Sequence, residues 1–474
     1  MKTLSFLILF LFACEQTAQS SDVKISNEML FVEGPRDDRR MYAIVNVEWK
    51  NAWKNETNHD AVWLFCKFVF GNDGYWHVPL KMTGHEVIRN DQSPALEIRL
   101  DVAEDGTGLF ILPAKNYRGD VSLKIKLSID PAPFSRMNTE RASFRVFGIE
   151  MAQVPTGAFY AGEADSTKAR EFQTFYQPDA DGGYRGTVFI NSENELTVGK
   201  DIAYTSEQVV YQGDGKGVVP KEFPKGYEGF YVMKYEIKQG EYAAFLNTLS
   251  NGQSQLRSNF GGRDYYAMRG TIAFDGEQYA AASPDRPCNF LSWDDAMAFA
   301  DWCALRPMTE LEFEKACRGS RKPFANEFPW GNADRLQVER RVNAEGDLVH
   351  LAGKSESELS TKTMAEFGAS QYWVMDLAGS LWERCITVGD STGRAFRGTY
   401  GDGNISYYGF ATNADWPSGV SEKGGFGFRG GGFYHPDRSY HEFNPFSPVS
   451  YRRFGAWSGG NRTEAYGSRL VRRQ

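Results

Sequence analysis

The sequence predicts an all-β sandwich followed by a larger α+β region with little regular secondary structure. Three observations carry this expectation. Residues 23 to 150 repeat apolar side chains with period two, in short runs separated by turn residues. Beyond them only two helix starts are well marked. The chain also holds 48 glycines in 474 residues and 14% aromatics. Such a composition suits irregular backbone, with large rings filling the space between loops.

The first element in order is a targeting segment. Lys2 supplies a positive start, and Leu4 to Phe12 is an apolar run too short to span a bilayer. It ends in Leu11-Phe12-Ala13-Cys14, which looks like a bacterial lipobox. The expected processing removes residues 1–13 as a signal peptide and places lipid on Cys14. Residues 14–22 then form a polar tether. Ordinary signal cleavage after Ala18-Gln19-Ser20 is the competing reading. Either way the protein is expected to be exported. With lipid on Cys14 it is an outer-membrane or cell-surface lipoprotein, or a periplasmic one. No other apolar run is long enough to cross a membrane. Five cysteines remain (Cys66, Cys288, Cys303, Cys317 and Cys385), none in a CxxC pair. They read as buried inert thiols, the count leaving room for one disulfide. A net charge of -8 argues against nucleic acid as a partner, since such a binder would carry a basic face.

The strands come next. Val45, Val47 and Trp49 alternate with Asn46 and Glu48. Leu96, Ile98, Leu100 and Val102 alternate with Glu97, Arg99 and Asp101. Val121, Leu123, Ile125, Leu127 and Ile129 follow the same rule, and Phe144 with Val146 repeats it. Each run turns one apolar face to a core. Asn72-Asp73-Gly74 and Asp105-Gly106 are turn signals between them. An Ig-like antiparallel sandwich over 23–150 is the expected result. No catalytic constellation stands in it. Trp49, Trp53, Trp63 and Trp76 are expected to fill the core rather than form a carbohydrate platform.

A second domain is expected over 151–474. Residues 164 to 222 read as a long irregular insertion, Phe230 to Glu236 as a strand, and Gln239 to about Leu249 as a helix. Ser292 with Asp295 resembles a capping box ahead of Trp293–Trp302, although Asp is a shorter partner than Glu. Thr309 with Glu312 is a better box, opening a helix from Glu310 to about Arg318.

These segments, in order, resemble the formylglycine-generating-enzyme (sulfatase-modifying factor) family. Met151 to Gly162 (MAQVPTGAFYAG) resembles its opening strand. Tyr231 to Phe245 resembles the segment where a Glu precedes the first helix. Leu291 to Ala296 (LSWDDA) and Leu305 to Gly319 (LRPMTELEFEKACRG) resemble its two helices, and Phe328 to Asn332 (FPWGN) follows. Val374 to Glu383 (VMDLAGSLWE), Phe428 to Phe433 (FRGGGF) and Gly467 to Val471 (GSRLV) complete the set. The resemblance implies a C-type-lectin-like α+β fold with low regular secondary structure.

It also implies what is missing. Aerobic oxidases of the family bind copper(I) with two closely spaced C-terminal cysteines, soft ligands for a soft ion. The matching stretch is Pro448 to Phe454, and there is no cysteine from 386 to 474. No copper and no oxidase activity are therefore expected, and no catalytic residue is assigned. The sulfoxide-synthase relatives need an iron site built from histidines. This chain has His59, His77, His85, His350, His435 and His441, with no HxxxH. His435 and His441 are the nearest pair and need no metal. Asp376, Gly379, Leu381 and Glu383 match, position by position, a calcium loop of the family. Asp376 and Glu383 would bind through carboxylates, Gly379 and Leu381 through backbone carbonyls. The competing reading has the carboxylates capping local N–H groups. A second family site near Asn343 matches too poorly to assign.

The expected function is a non-catalytic exported lipoprotein whose second domain acts as a binding or envelope-assembly module. Its partners would be envelope proteins or a surface glycan or protein, and the lipid would hold it to the membrane. The alternative is an enzyme of the sulfatase-modifying-factor family, an oxidoreductase acting on protein cysteine or another substrate through a non-standard site.

Overall fold

A computed structural model describes residues 23–473 except 36–38, 91–95, 135–140, 206–212, 335–355, 421–422, 433–446 and 460. The expected signal peptide and tether, with Cys14, and also Asn343, His350, His435 and His441 lie outside the described residues.

Nine strands open the chain: β1 (Val23–Glu33), β2 (Arg40–Lys54), β3 (Asp60–Val69), β4 (Tyr75–Val78), β5 (Glu86–Asn90), β6 (Ile98–Val102), β7 (Leu109–Pro113), β8 (Tyr117–Ile129) and β9 (Ser143–Val154). One sheet has the order β1-β2-β8-β5, with every pairing antiparallel. The alternating residues of β2 and β8, Val45, Val47, Ile125 and Leu127 among them, pack from this sheet against Val62, Leu64, Cys66 and Ile111 of the facing one. Two antiparallel faces closing on one apolar layer make the expected sandwich.

The facing sheet does not stop at the sandwich. Its order is β6-β7-β3-β9, then Phe230–Met233, Leu470–Arg472 and Arg306–Pro307, with β4 pairing β3 off this path. Residue 150, the expected boundary, lies in the middle of β9. β9 pairs β3 from Asp60↔Ala152 to Val69↔Ser143, and its last residues also pair Phe230–Met233. The two expected domains therefore share one sheet. β3 is buried on both faces. Val62, Leu64, Cys66 and Phe68 enter the sandwich core, while Ala61, Trp63 and Phe65 enter the core of the C-terminal region. A strand covered on both faces has no polar side, so it shows no alternation to read in sequence.

Polar ties cross the same wall. Trp63 Nε1 donates to Cys303 O at 2.8 Å. The buried Lys67 Nζ donates to Trp302 O (2.6 Å), Gly403 O (2.5 Å) and His77 Nδ1 (2.9 Å). Burial pushes the Lys67 ammonium well below the usual lysine range. Trp49, Trp53 and Trp63 fill cores, whereas Trp76 is 52% exposed.

Both capping boxes close. Glu312 N donates to Thr309 Oγ1 (3.1 Å) and Thr309 N to Glu312 Oε2 (3.0 Å), opening the helix Glu310–Arg318. Asp295 reaches back to Ser292 N at 2.9 Å despite its shorter side chain, opening Trp293–Trp302. The helix from Gln239 ends at Leu246. The stretch 164–222 is more ordered than expected: a helix Ser166–Phe172, capped by Asp165, and strands of two to four residues such as Phe175–Pro178 and Val188–Ile190. Strands that short cannot display a period. Cys66, Cys288, Cys303, Cys317 and Cys385 are all buried free thiols, so the disulfide the count allowed is not formed. Among the described residues no helix is long and apolar enough to cross a membrane.

Candidate functional site

The acidic loop predicted to hold calcium leads into the strand Trp382–Ile386, which pairs antiparallel with Phe426–Arg429 and parallel with Tyr466–Gly467. Its backbone is left-handed at Asp376 (φ 61°), Gly379 (φ 88°) and Ser380 (φ 59°). Three such residues curl the chain so that two carboxylates seven positions apart belong to one neighbourhood. Gly379 N donates to Gly430 O at 2.9 Å, fixing the loop on the glycine run.

Leu381 N donates to Glu236 Oε1 at 2.9 Å. Glu236 is the residue the site assignment missed. It stands 145 positions before Leu381, in the segment noted only for a Glu ahead of the first helix. Glu383 is fully buried and faces Arg469: Nε lies 3.1 and 3.0 Å from its two oxygens, and Nη2 lies 3.0 Å from Oε1. The same guanidinium donates to the carbonyls of Met233, Lys234 and Met375.

Burial, then Glu383 and Asp376, push the Glu236 carboxyl well above the usual carboxylate range. Burial raises Glu383 as well, against the pull of Arg469. Three carboxylates thus share one buried neighbourhood with one guanidinium. Among the described residues no three His, Cys, Asp or Glu side chains converge as a metal cluster. An ion here would take Asp376, Glu383 and the backbone carbonyls assigned by resemblance, with Arg469 sharing Glu383.

The stretch matching the oxidase cysteines is used for packing. Ser450 is 1% exposed and its Oγ donates to Glu163 Oε2 at 2.7 Å. Arg452 Nε donates to Glu310 Oε2 at 3.0 Å, and its guanidinium lies over Tyr204 at 4.1 Å and Phe175 at 4.5 Å. Tyr451 and Phe454 join Phe172, Trp382, Phe428 and Tyr466 in one aromatic cluster. Glu310 also accepts from Arg429, Thr387 Oγ1 and Val388 N. Arg429 continues to Glu314 (2.5 Å) and Val449 O (2.8 Å), and Arg318 joins Glu327 to the carbonyls of Tyr160 and Gly162. Both arginines hold the fold together. Burial raises the thiol pKa of all five described cysteines, which keeps them protonated and poor nucleophiles.

Comparison with known proteins supports the family resemblance from residue 194 onward, and the segment Met151 to Gly162 precedes the matched range. The family model described as sulfatase-modifying factor enzyme 1-like domain matches residues 194–474. The formylglycine-generating enzyme of Bos taurus is 25% identical over 185 residues, covering 33% of this chain and 48% of the bovine protein. That of Thermomonospora curvata is 34% identical over 104 residues, 22% of this chain and 33% of the relative. The hercynine oxygenase of Mycolicibacterium smegmatis is 30% identical over 100 residues, 21% of each chain. The match spans about half or less of each of these relatives.

Proposed function

The chain belongs to the sulfatase-modifying factor enzyme 1-like domain family, and from that premise we propose that it is a non-catalytic binding or envelope-assembly module on an exported lipoprotein. One observation carries this reading. Where the family's oxidases are expected to place copper-binding cysteines, this chain has Ser450 and Arg452 turned inward onto Glu163 and Glu310. Neither a hydroxyl nor a guanidinium replaces a thiolate toward copper(I). Incubated with copper, oxygen and a sulfatase-type CxPxR peptide, the protein should leave the peptide mass unchanged. Conversion of the peptide cysteine to the aldehyde above a no-protein control would restore the enzyme alternative.

Lipid on Cys14 is part of the proposal. Stable anchoring takes more than one acyl chain, as a lipidated N-terminal cysteine would carry. Wild type is expected in the membrane fraction and Cys14→Ala in the soluble one or unprocessed. A mutant as firmly bound as wild type would refute the anchor.

Calcium at Asp376 and Glu383 completes it. An ion bound only by the native fold stabilises it by roughly 2.7 kcal/mol at a hundredfold excess over its dissociation constant. Chelator should lower the melting temperature of wild type. Glu383→Gln should start lower and respond less. Glu236→Gln should behave differently, because it keeps an acceptor for Leu381 N without a carboxyl whose ionisation burial, Glu383 and Asp376 oppose: at least as stable as wild type in chelator, with a smaller gain from calcium. A wild-type melting curve unmoved by chelator, with no calcium by metal analysis, would remove the site.

A further inference from the structure

We propose that the turn carrying Tyr407 and Tyr408 is a stacking platform for neutral sugar residues of an envelope glycan. The inference rests on the binding-module reading above and gives that module a surface.

Tyr407 is 87% exposed and Tyr408 74%. Their ring centroids stand 5.2 Å apart at 83°. Two rings at a right angle form a corner, and both are largely open to solvent. A ring face offers apolar area to the C–H face of a sugar, and the phenol hydroxyls offer hydrogen bonds at the same place.

The backbone beneath the rings is held from below. Lys67 Nζ bonds Gly403 O, and Ile405 N donates to Tyr75 Oη at 3.2 Å. Gln253 Nε2 donates to Ser406 O at 3.0 Å, and Arg257 Nε to Gly409 O at 2.9 Å. Gly409 N closes the turn on Ser406 O at 2.8 Å. A turn tied this way has little backbone freedom left to lose when a ligand binds. Exposed aromatics on a fixed frame are how binding surfaces present rigid contact area.

Charge and size choose the ligand. Gly403 to Ala414 contain no charged residue, and neither do Asn251 to Leu256 on the helix beneath. The cations bonded to this frame are already paired: Arg257 is buried against Asp295 at 2.9 Å and under the Phe410 ring, and Arg462, which reaches Leu256 O, pairs with the same Asp295 at 2.6 Å. An uncharged polar rim of Asn404, Ser406 and Gln253 favours a neutral polyhydroxyl ligand over an anionic one. Two tyrosines bury at most about 150–250 Å² each. That falls short of the roughly 800 Å² per partner that a stable protein interface needs, and it suits one or two sugar rings.

The test is calorimetric titration of the full chain with chitohexaose, cellohexaose, maltohexaose and mannohexaose. Wild type should bind at least one of them. Tyr407→Ala with Tyr408→Ala should weaken that binding at least about tenfold, with the melting temperature unchanged because both side chains point to solvent. Phe at both positions should keep most of the affinity, since the ring faces remain. No binding to any of the four sugars by wild type overturns the inference, as does binding that survives the double alanine. A photo-reactive residue at 408 that cross-links only to protein in intact cells also overturns it. None of these failures touches the non-catalytic reading, which falls only with the peptide assay.

Discussion

A chain beginning at Met151 is expected not to fold on its own. β9 would lose β3, its partner from Ser143 to Ala152, and Met151 to Val154 would become an open sheet edge. The C-terminal core would lose Trp63, Phe65, Phe110, Leu112 and Ile149, which fill it from the N-terminal side. Burying a large apolar side chain is worth about 1.5–3 kcal/mol. Five such losses rival the whole stability of an ordinary domain, about 5–15 kcal/mol. The shortened chain should therefore aggregate or melt without a cooperative transition. A soluble product with a sharp transition near that of the full chain would show that the shared sheet is dispensable. Within the full chain, Trp63→Ala should cost about 3–5 kcal/mol and lower the melting of both regions together, since Trp63 lies in the wall between them.

Glu310→Ala should be the most damaging polar substitution. Its buried carboxylate accepts from Arg452, Arg429, Thr387 Oγ1 and Val388 N. Arg429 keeps Glu314 after the change, so the orphaned charge is Arg452. Breaking one partner of a buried pair costs about 3–5 kcal/mol. Adding Arg452→Met should then cost much less than it does alone, because the charge it removes is already uncompensated. Urea unfolding of the four proteins measures this coupling. Costs that add within about 0.5 kcal/mol would mean the two residues act independently.

What the sequence disclosed follows from the range of each interaction. Both capping boxes lie within four residues, and both form. The alternating faces of β2 and β8 need only one core, and both were legible. β3 was not, because Asp60 to Val69 is buried on both faces and carries no alternation. For the same reason the continuity of the two regions was invisible. In the candidate site, Asp376, Gly379, Leu381 and Glu383 came from family resemblance. Glu236 and Arg469 meet them only through the fold, 145 and 86 positions away, and no local spacing points to either. Tyr407 and Tyr408 read as two more aromatics in a chain rich in them. Their exposure depends on Lys67, Gln253 and Arg257 holding the turn from distant elements.

The strand Leu470–Arg472 sits inside the shared sheet, between Phe230–Met233 and Arg306–Pro307. This has a consequence for timing. While the chain is being made, the place between Phe230–Met233 and the edge strand Arg306–Pro307 stays unfilled until residue 472 has emerged. The Arg469 ties to Met233, Lys234 and Met375 wait equally long. Contacts between distant parts of the sequence form late, and here the latest of them join the short edge strand Arg306–Pro307 to the rest of the sheet. A partly synthesised chain is thus kept from becoming native early.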